Sequence, residues 1–542
     1  MTELFALAFR RRKPVAEIAR GLLPRTASLY NQLTMPPWPS FLARLAKRRR
    51  LCWLGAGISV LILRALLLPV WPIPIPMIHD EFCYLLQADT FAHARLTNPP
   101  HPMWQFFETI YVLNQPTYMA KYPPAQGLAM ALGQVLLGDP WFGVWLSCGL
   151  LAGAFCWALQ GWLPPRWALV GALFGLQVCF FDYWMNSYWG GAVSAFGGAL
   201  VIGAWVRITR AGKFGQAWTL GIGAVILMLS RPFEGSLLLV PVLGGLLLRT
   251  RRLAVWTPVL VCGLVGTAWL GFYQYRVTGN ALRMPYREYQ AQYETVPQFN
   301  VLPVASGAKK YPHVDLEWVD HGWLLNKYSE ARSWKFPLKR ARDWFQTLRI
   351  ILGNLLLIIP LVGFSPRLWR SPRMRLLVCL AALMMAASLI EVPHFAHYAS
   401  PFAAVFLILC VQSLRYLGPA APAFAGLVLG WNLVNDTRLI ATMRTPDRFK
   451  SSVWKKEGLA RNVAAKPPGR HVIFVRYTKY LEPHEEWIYN SASIDDQDVI
   501  WAQDMGDEAN RKLIGYYRKS DTPRAFWMFQ PDEDSDNLAP YP

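Results

Sequence analysis

Polar and apolar positions in this chain fall into long blocks rather than a fine alternation. Apolar runs separated by short polar turns fill 51–275 and return over 347–435, and several reach the roughly 18–20 residues needed to cross a bilayer. The pattern predicts eleven spans, at 51–71, 141–163, 167–181, 189–206, 216–230, 236–248, 254–275, 347–364, 376–391, 398–414 and 420–435. A shorter run at 125–137 reads as re-entrant or interfacial. Two polar loops interrupt the blocks, 72–124 and 276–345, and the first contains an amphipathic piece, 81–93, suited to the membrane surface. Beyond 437 the pattern changes to strands at 471–477, 499–505 and 524–530, a helix at 507–518, and an acidic end at 531–537 that reads as a loose tail. The expected fold is an all-α polytopic membrane bundle of about eleven transmembrane helices with a small soluble α/β C-terminal domain. Its parts would be a basic tail (1–50), the membrane domain (51–436) and the α/β domain (437–542).

Composition agrees, and charge adds an orientation. Of 542 residues 54% are hydrophobic and only 16% charged, against about a quarter charged in soluble domains. The net charge of +21 does not mark a nucleic-acid partner, because it is not gathered on a soluble face. The region from 437 onward holds 16 basic and 16 acidic residues, and the excess lies in the first 50 residues and the short turns. That is the positive-inside distribution. With Lys47-Arg48-Arg49-Arg50 ahead of the first span, the N-terminus is expected in the cytoplasm and the C-terminal domain outside. The predicted inner turns carry Arg166, then Arg207, Arg210 and Lys213, then Arg249, Arg251 and Arg252, then Arg367, Arg370, Arg373 and Arg375, and finally Arg415. Conversely, all nine acids outside the tail, the second loop and the C-terminal region fall on the outer side, as do His79, His93, His101, His313, His321, His394 and His397. This one-sided placement predicts a titratable cavity on the outer face. Seven of the eight cysteines lie in apolar runs and read as packing residues. The first apolar piece is short and followed by Arg10-Arg11-Arg12-Lys13, so no cleavable signal is expected.

Five groups could carry chemistry. Adjacent Asp80 and Glu81 point to different sides of a helix, so they do not form a glycosidase-type pair. One could take a proton from an attacking hydroxyl or amine, or the pair could cap a helix beginning near Phe82. Lys121, before Tyr122-Pro123-Pro124, could meet a lipid phosphate or serve as an interfacial anchor. Asp182 and Tyr183, within an aromatic segment reaching Trp189, suit a sugar whose C–H faces stack on rings; an aromatic belt is the other reading. Arg231 could bind phosphate with its planar fork or pair with Glu234 three residues on, and Arg64, deep in the first span, could likewise meet a phosphate or carboxylate, or snorkel. His394 and His397, at an interrupted helix end, could bond a phosphate leaving group. A metal would need a third ligand such as Glu391 or His79, and the spacing does not match a zinc-protease motif; none is expected.

In this order, Asp80-Glu81, Tyr122-Pro123-Pro124, Arg231-Pro232 and His397-Tyr398-x-x-Pro401 resemble motifs of the GT-C superfamily of polyprenyl-phosphate-dependent glycosyltransferases. The nearest branch contains the protein O-mannosyltransferases and the aminoarabinose transferases of bacterial lipid A. The resemblance implies a helical bundle with an outer cavity and a multi-pass enzyme of a bacterial inner membrane, its C-terminal domain periplasmic. It implies inverting transfer of a sugar from a polyprenyl-phosphate carrier to a lipid, glycan or protein acceptor. Asp80 would be the base with Glu81 beside it; Lys121, Arg231, His394 and His397 would hold the donor phosphate. Tyr122, Asp182, Tyr183 and Tyr398 would contact substrate. The first loop has no Asp-x-Asp, so the metal dependence of oligosaccharyltransferases is not carried over. Two other classes remain: a transporter or flippase for a lipid-linked glycan, and a non-catalytic envelope protein presenting its C-terminal domain.

Overall fold

The structure is a computed structural model that describes residues 40–307, 309–442, 452–477, 486–520, 522–531 and 538–541. A short helix, α1 (Ser40–Lys47), precedes α2 (Arg49–Leu66). The prolines at 72, 74 and 76 remove backbone donors and keep the chain extended until α3 (His79–Ala92). A two-stranded ribbon, β1 (Val112–Leu113) and β2 (Met119–Ala120), leads to α4 (Ala125–Leu137). The bundle continues with α5 (Trp141–Trp162), α6 (Pro165–Phe181), α7 (Ala192–Ala211), α8 (Gln216–Ser230), α9 (Pro232–Leu247) and α10 (Leu253–Thr278). After α11 (Pro285–Tyr293) in the second loop come α12 (Phe336–Leu352), α13 (Arg375–Ala387), α14 (Ala403–Arg415) and α15 (Ala421–Thr442).

Every one of the eleven expected spans is occupied by helix. Helix length gives a smaller count. Among the described residues three helices, α5, α7 and α10, are long and apolar enough to cross a membrane, or up to five if each of two bent pairs is one span. The bends are 106° between α12 and 355–363 and 117° between α14 and the segment after 418. The remainder fall short for physical reasons: α4, α6, α8, α9 and α13 have 10–17 residues, and α2 carries Arg49, Arg50 and Arg64.

One apolar core joins these helices, including the buried Trp141, Phe155, Phe174, Ile202, Leu238 and Phe402. Small residues let backbones touch. A Cβ on Gly143 would stand 2.0 Å from the Ala129 carbonyl, and one on Gly198 1.9 Å from that of Pro401. The Gly198 contact fixes α7 against the break before α14.

The C-terminal domain pairs α16 (Ser452–Ala464) and α17 (Asp507–Arg518) with a sheet of order β4-β3-β5-β6, built from β3 (His471–Val475), β4 (Val499–Gln503), β5 (Ala525–Phe529) and β6 (Leu538–Pro540). β3 runs parallel to β4 and β5, with His471 opposite Val499 and Ala525; β6 is antiparallel to β5. Strand alternation divides the side chains between two faces. Ile473, Val475 and Trp501 pack with Val463 of α16. Val472, Phe474, Ile500 and Ala502 pack with Leu513 of α17 and also with Phe106, Phe107 and Ile110 of the first loop. The sheet therefore shares a core with the first loop. β6 lies just beyond the stretch expected to be a loose tail, of which 532–537 are outside the described residues.

Candidate active site

The site begins at the first turn of α3. Ile78 is extended (φ −133°, ψ 157°) and α3 starts at His79. Glu81, in the third helical position, is 2% exposed. Its Oε2 accepts from the backbone N–H of Met77 at 2.7 Å and Ile78 at 3.3 Å, and its Oε1 from that of Tyr188 at 2.8 Å. Glu81 thus closes the helix start and ties the 182–191 segment to it. Asp80 turns the other way. Its Oδ1 accepts from the Tyr122 hydroxyl, and Oδ2 lies 3.4 Å from Nε2 of His79.

Asp80 opens into a cavity of about 290 Å³ lined also by Tyr84, Tyr111, Lys121, Tyr122, Trp189, Arg231, Tyr286, Glu294, His397 and Tyr398. Trp323, Leu324 and Lys327 of the second loop complete the lining. Of the expected site residues, Asp80, Lys121, Tyr122, Arg231, His397 and Tyr398 come together here.

Lys121 sits in a box of rings. Its Nζ is 3.3 Å from the Tyr111 ring centre, 4.5 Å from Tyr286 and 4.7 Å from Tyr289, and 2.9 Å from Oε1 of Glu294. Burial pushes the ammonium pKa down, against the pull of Glu294. Burial, and next the Asp80 charge, push the Tyr122 phenol up, so it stays a donor to Asp80. Tyr111, Tyr286, Tyr289 and Glu294 were not among the sequence candidates. A signal exists: Tyr286, Tyr289 and Tyr293 recur at i, i+3, i+7, one face of α11.

Opposite the carboxylate group, Arg231 terminates α8 and lies 4.5 Å over the Tyr398 ring. Its Nη1 is 3.9 Å from Glu234, a long contact for an ion pair. His397 is 2% exposed and packs against Trp189, ring centres 4.7 Å apart. Burial, then Arg231, lower its pKa well below the usual imidazole value. A neutral His397 offers a hydrogen bond rather than a charge. Its Nδ1 is 3.1 Å from the Tyr183 hydroxyl, which leaves Nε2 for other work.

Three expected residues stand behind the cavity wall. Tyr183 supports His397. Asp182 accepts from the Tyr183 N–H at 2.7 Å, and burial raises its pKa to about 7. His394 turns away, its Nδ1 2.9 Å from Oε2 of Glu391 and its ring 5.3 Å from that of Trp344. The 3₁₀ turn at Ala396–Tyr398 sends His394 and His397 to different surroundings. Arg64 bonds Asn186 and the carbonyls of Trp71 and Pro72, at 3.2, 2.7 and 3.1 Å, and so holds the chain leaving α2. Among the described residues no three His, Cys, Asp or Glu side chains converge to hold a metal ion.

No family model and no curated protein matches the sequence. Solved structures do match. ArnT from Cupriavidus metallidurans in the apo state aligns at 15% identity over 88% of this chain and 94% of that one, with a TM-score of 0.51. The same protein bound to undecaprenyl phosphate aligns at 13% identity over 88% and 93%, TM-score 0.50. An Archaeoglobus fulgidus oligosaccharyltransferase tethered to an acceptor peptide aligns at 12% identity over 80% and 62%, TM-score 0.45. Over 88% of its length the chain shares the fold of ArnT.

Proposed function

We propose that this chain is an inverting glycosyltransferase that moves a sugar from a polyprenyl-phosphate carrier to a lipid, glycan or protein acceptor at the outer face of a bacterial inner membrane. The observation that carries the reading is one cavity holding both halves of that chemistry: the Asp80 carboxylate, oriented by Tyr122, and Arg231 with His397 and Tyr398. Asp80 takes the proton of the acceptor nucleophile as the new bond to the anomeric carbon forms. The bond from that carbon to the phosphate oxygen breaks, and single displacement inverts the centre. Arg231 balances the charge of the departing phosphate, while His397 and Tyr398 supply hydrogen bonds; such fixed electrostatics are commonly the largest catalytic contribution. The carrier class is supported by the ArnT structure, which has undecaprenyl phosphate bound.

The test is incubation of purified protein with labelled polyprenyl-phosphate sugars and a panel of membrane lipids, glycans and peptides. Transfer to one acceptor class is expected, and Asp80→Asn should lower it at least about 100-fold while carrier binding persists. No transfer and no donor hydrolysis with any pairing rejects the reading.

A further inference from the structure

A second, larger cavity of about 630 Å³ opens at the other end of the bundle. The chain direction fixes that polarity. α7 starts three residues after Trp189 of the catalytic cavity, runs 20 residues or about 30 Å, and ends at the second cavity with Arg207, Arg210 and Ala211. α14 likewise starts beyond Tyr398 and ends there at Arg415, and α2 begins there at Arg49.

Among the described residues six cations line this cavity, Arg49, Arg207, Arg210, Lys213, Arg373 and Arg415, and no carboxylate does. None of the six has an ion-pair partner among the described residues. The positive-inside bias accounts for Lys and Arg on this side, but it places them in solvated turns. Here they converge on one hollow, and several are held. Arg207 donates to the carbonyls of Gly203 (2.7 Å) and Trp157 (2.6 Å) and lies 4.0 Å from the Trp157 ring centre. Arg210 donates to the Arg373 carbonyl at 3.0 Å and lies 4.7 Å from the Trp162 ring centre. Arg415 donates to Gln412 at 2.6 Å. Like charges fixed around a cavity repel unless an anion joins them, and guanidinium forks match phosphate oxygens.

We infer that this cavity is a phosphate-binding site, and that its occupant is the headgroup of an anionic phospholipid of the inner leaflet. Trp162, Leu163, Pro164, Val206 and Met374 give it an apolar wall, which a headgroup entering between helices would use and a free phosphate would not. Nothing in the glycosyl-transfer reading requires this site.

Native mass spectrometry of delipidated full-length protein in detergent decides the matter, with cardiolipin, phosphatidylcholine and inorganic pyrophosphate as separate probes. The wild type should bind cardiolipin at least tenfold more tightly than phosphatidylcholine. The triple variant Arg210→Gln, Lys213→Gln, Arg373→Gln should lose that preference, and so should Lys213→Glu alone, an exposed position that keeps the helix contacts if the triple variant fails to fold. Tight pyrophosphate binding that the variants abolish, without a cardiolipin preference, would keep the phosphate site and overturn its lipid source. Equal cardiolipin binding by the wild type and Lys213→Glu, with no response to pyrophosphate, would overturn the site itself.

Discussion

Lys121 and Glu294, 173 residues apart in the chain, meet at 2.9 Å in the wall of the cavity that Asp80 lines. Both side chains are at most 5% exposed. The pair clamps the first loop to the second, and the clamp uses the charge that sequence reasoning assigned to donor phosphate. Removing one partner leaves a buried charge unmatched, at a cost of about 3–5 kcal/mol. Glu294→Gln should therefore lower the melting temperature sharply, whereas the double variant Lys121→Met, Glu294→Gln should recover part of the loss. Thermal unfolding of the three proteins checks this; an additive double variant would mean that the two residues do not act as a pair.

The adjacent carboxylates should separate activity from stability. Asp80→Asn is expected to abolish transfer with little change in unfolding temperature. Glu81→Ala leaves three backbone N–H groups without their acceptor and should destabilise by about 1–3 kcal/mol. Its residual activity at low temperature should exceed that of Asp80→Asn. The comparison needs only turnover and melting curves on the same preparations.

Tyr183 acts on the cavity through His397. Tyr183→Phe keeps the ring packing and removes the hydroxyl 3.1 Å from Nδ1, freeing the imidazole to change tautomer. Transfer should fall several-fold with protein stability nearly unchanged, and NMR of labelled histidine should report altered ring-nitrogen shifts. A variant with wild-type shifts would refute the positioning role.

Lys456 of α16 gives the C-terminal domain a pH dependence. Its Nζ is buried with no hydrogen-bond partner among the described residues, 4.5 Å from the Phe82 ring centre. Burial lowers its pKa to about 7, with Glu486 pulling the other way. An unfolded lysine titrates near 10.4, so between about pH 7 and pH 10 the unfolded chain holds more protons. Stability from this group must then rise with pH over that window, by at most about 1.4 kcal/mol per pH unit. The difference in melting temperature between wild type and Lys456→Met should shrink as pH is raised from 7 to 9.5.

Legibility followed the range of the interaction. The helix expected at 507–518 occupies Asp507–Arg518, and helix fills each apolar block, because local periodicity carries that information. Asp80, Arg231 and His397 were legible because each sits beside a proline or a helix end that apolar patterning leaves conspicuous. The Glu294 partner of Lys121 was not, since nothing local in a polar loop says which distant cation it meets. His394 and His397 were alike by spacing, yet the 3₁₀ turn gives them different neighbours. Sharp breaks such as the 106° bend after α12, which divide apolar blocks into shorter helices, leave no trace in mean hydropathy.

The core shared by the C-terminal sheet and the first loop has a consequence for biosynthesis. Tyr489 stacks on Phe82 at 4.6 Å, two residues after Asp80, and its hydroxyl donates to the Ile110 carbonyl at 3.1 Å. The segment bearing Asp80 leaves the ribosome early, but the surface it packs on is made much later. Until that surface has been made and folded, the loop has no completed core. A nascent chain stopped before Tyr489 would therefore have its bundle helices but an unfinished core around Phe82 and the first loop.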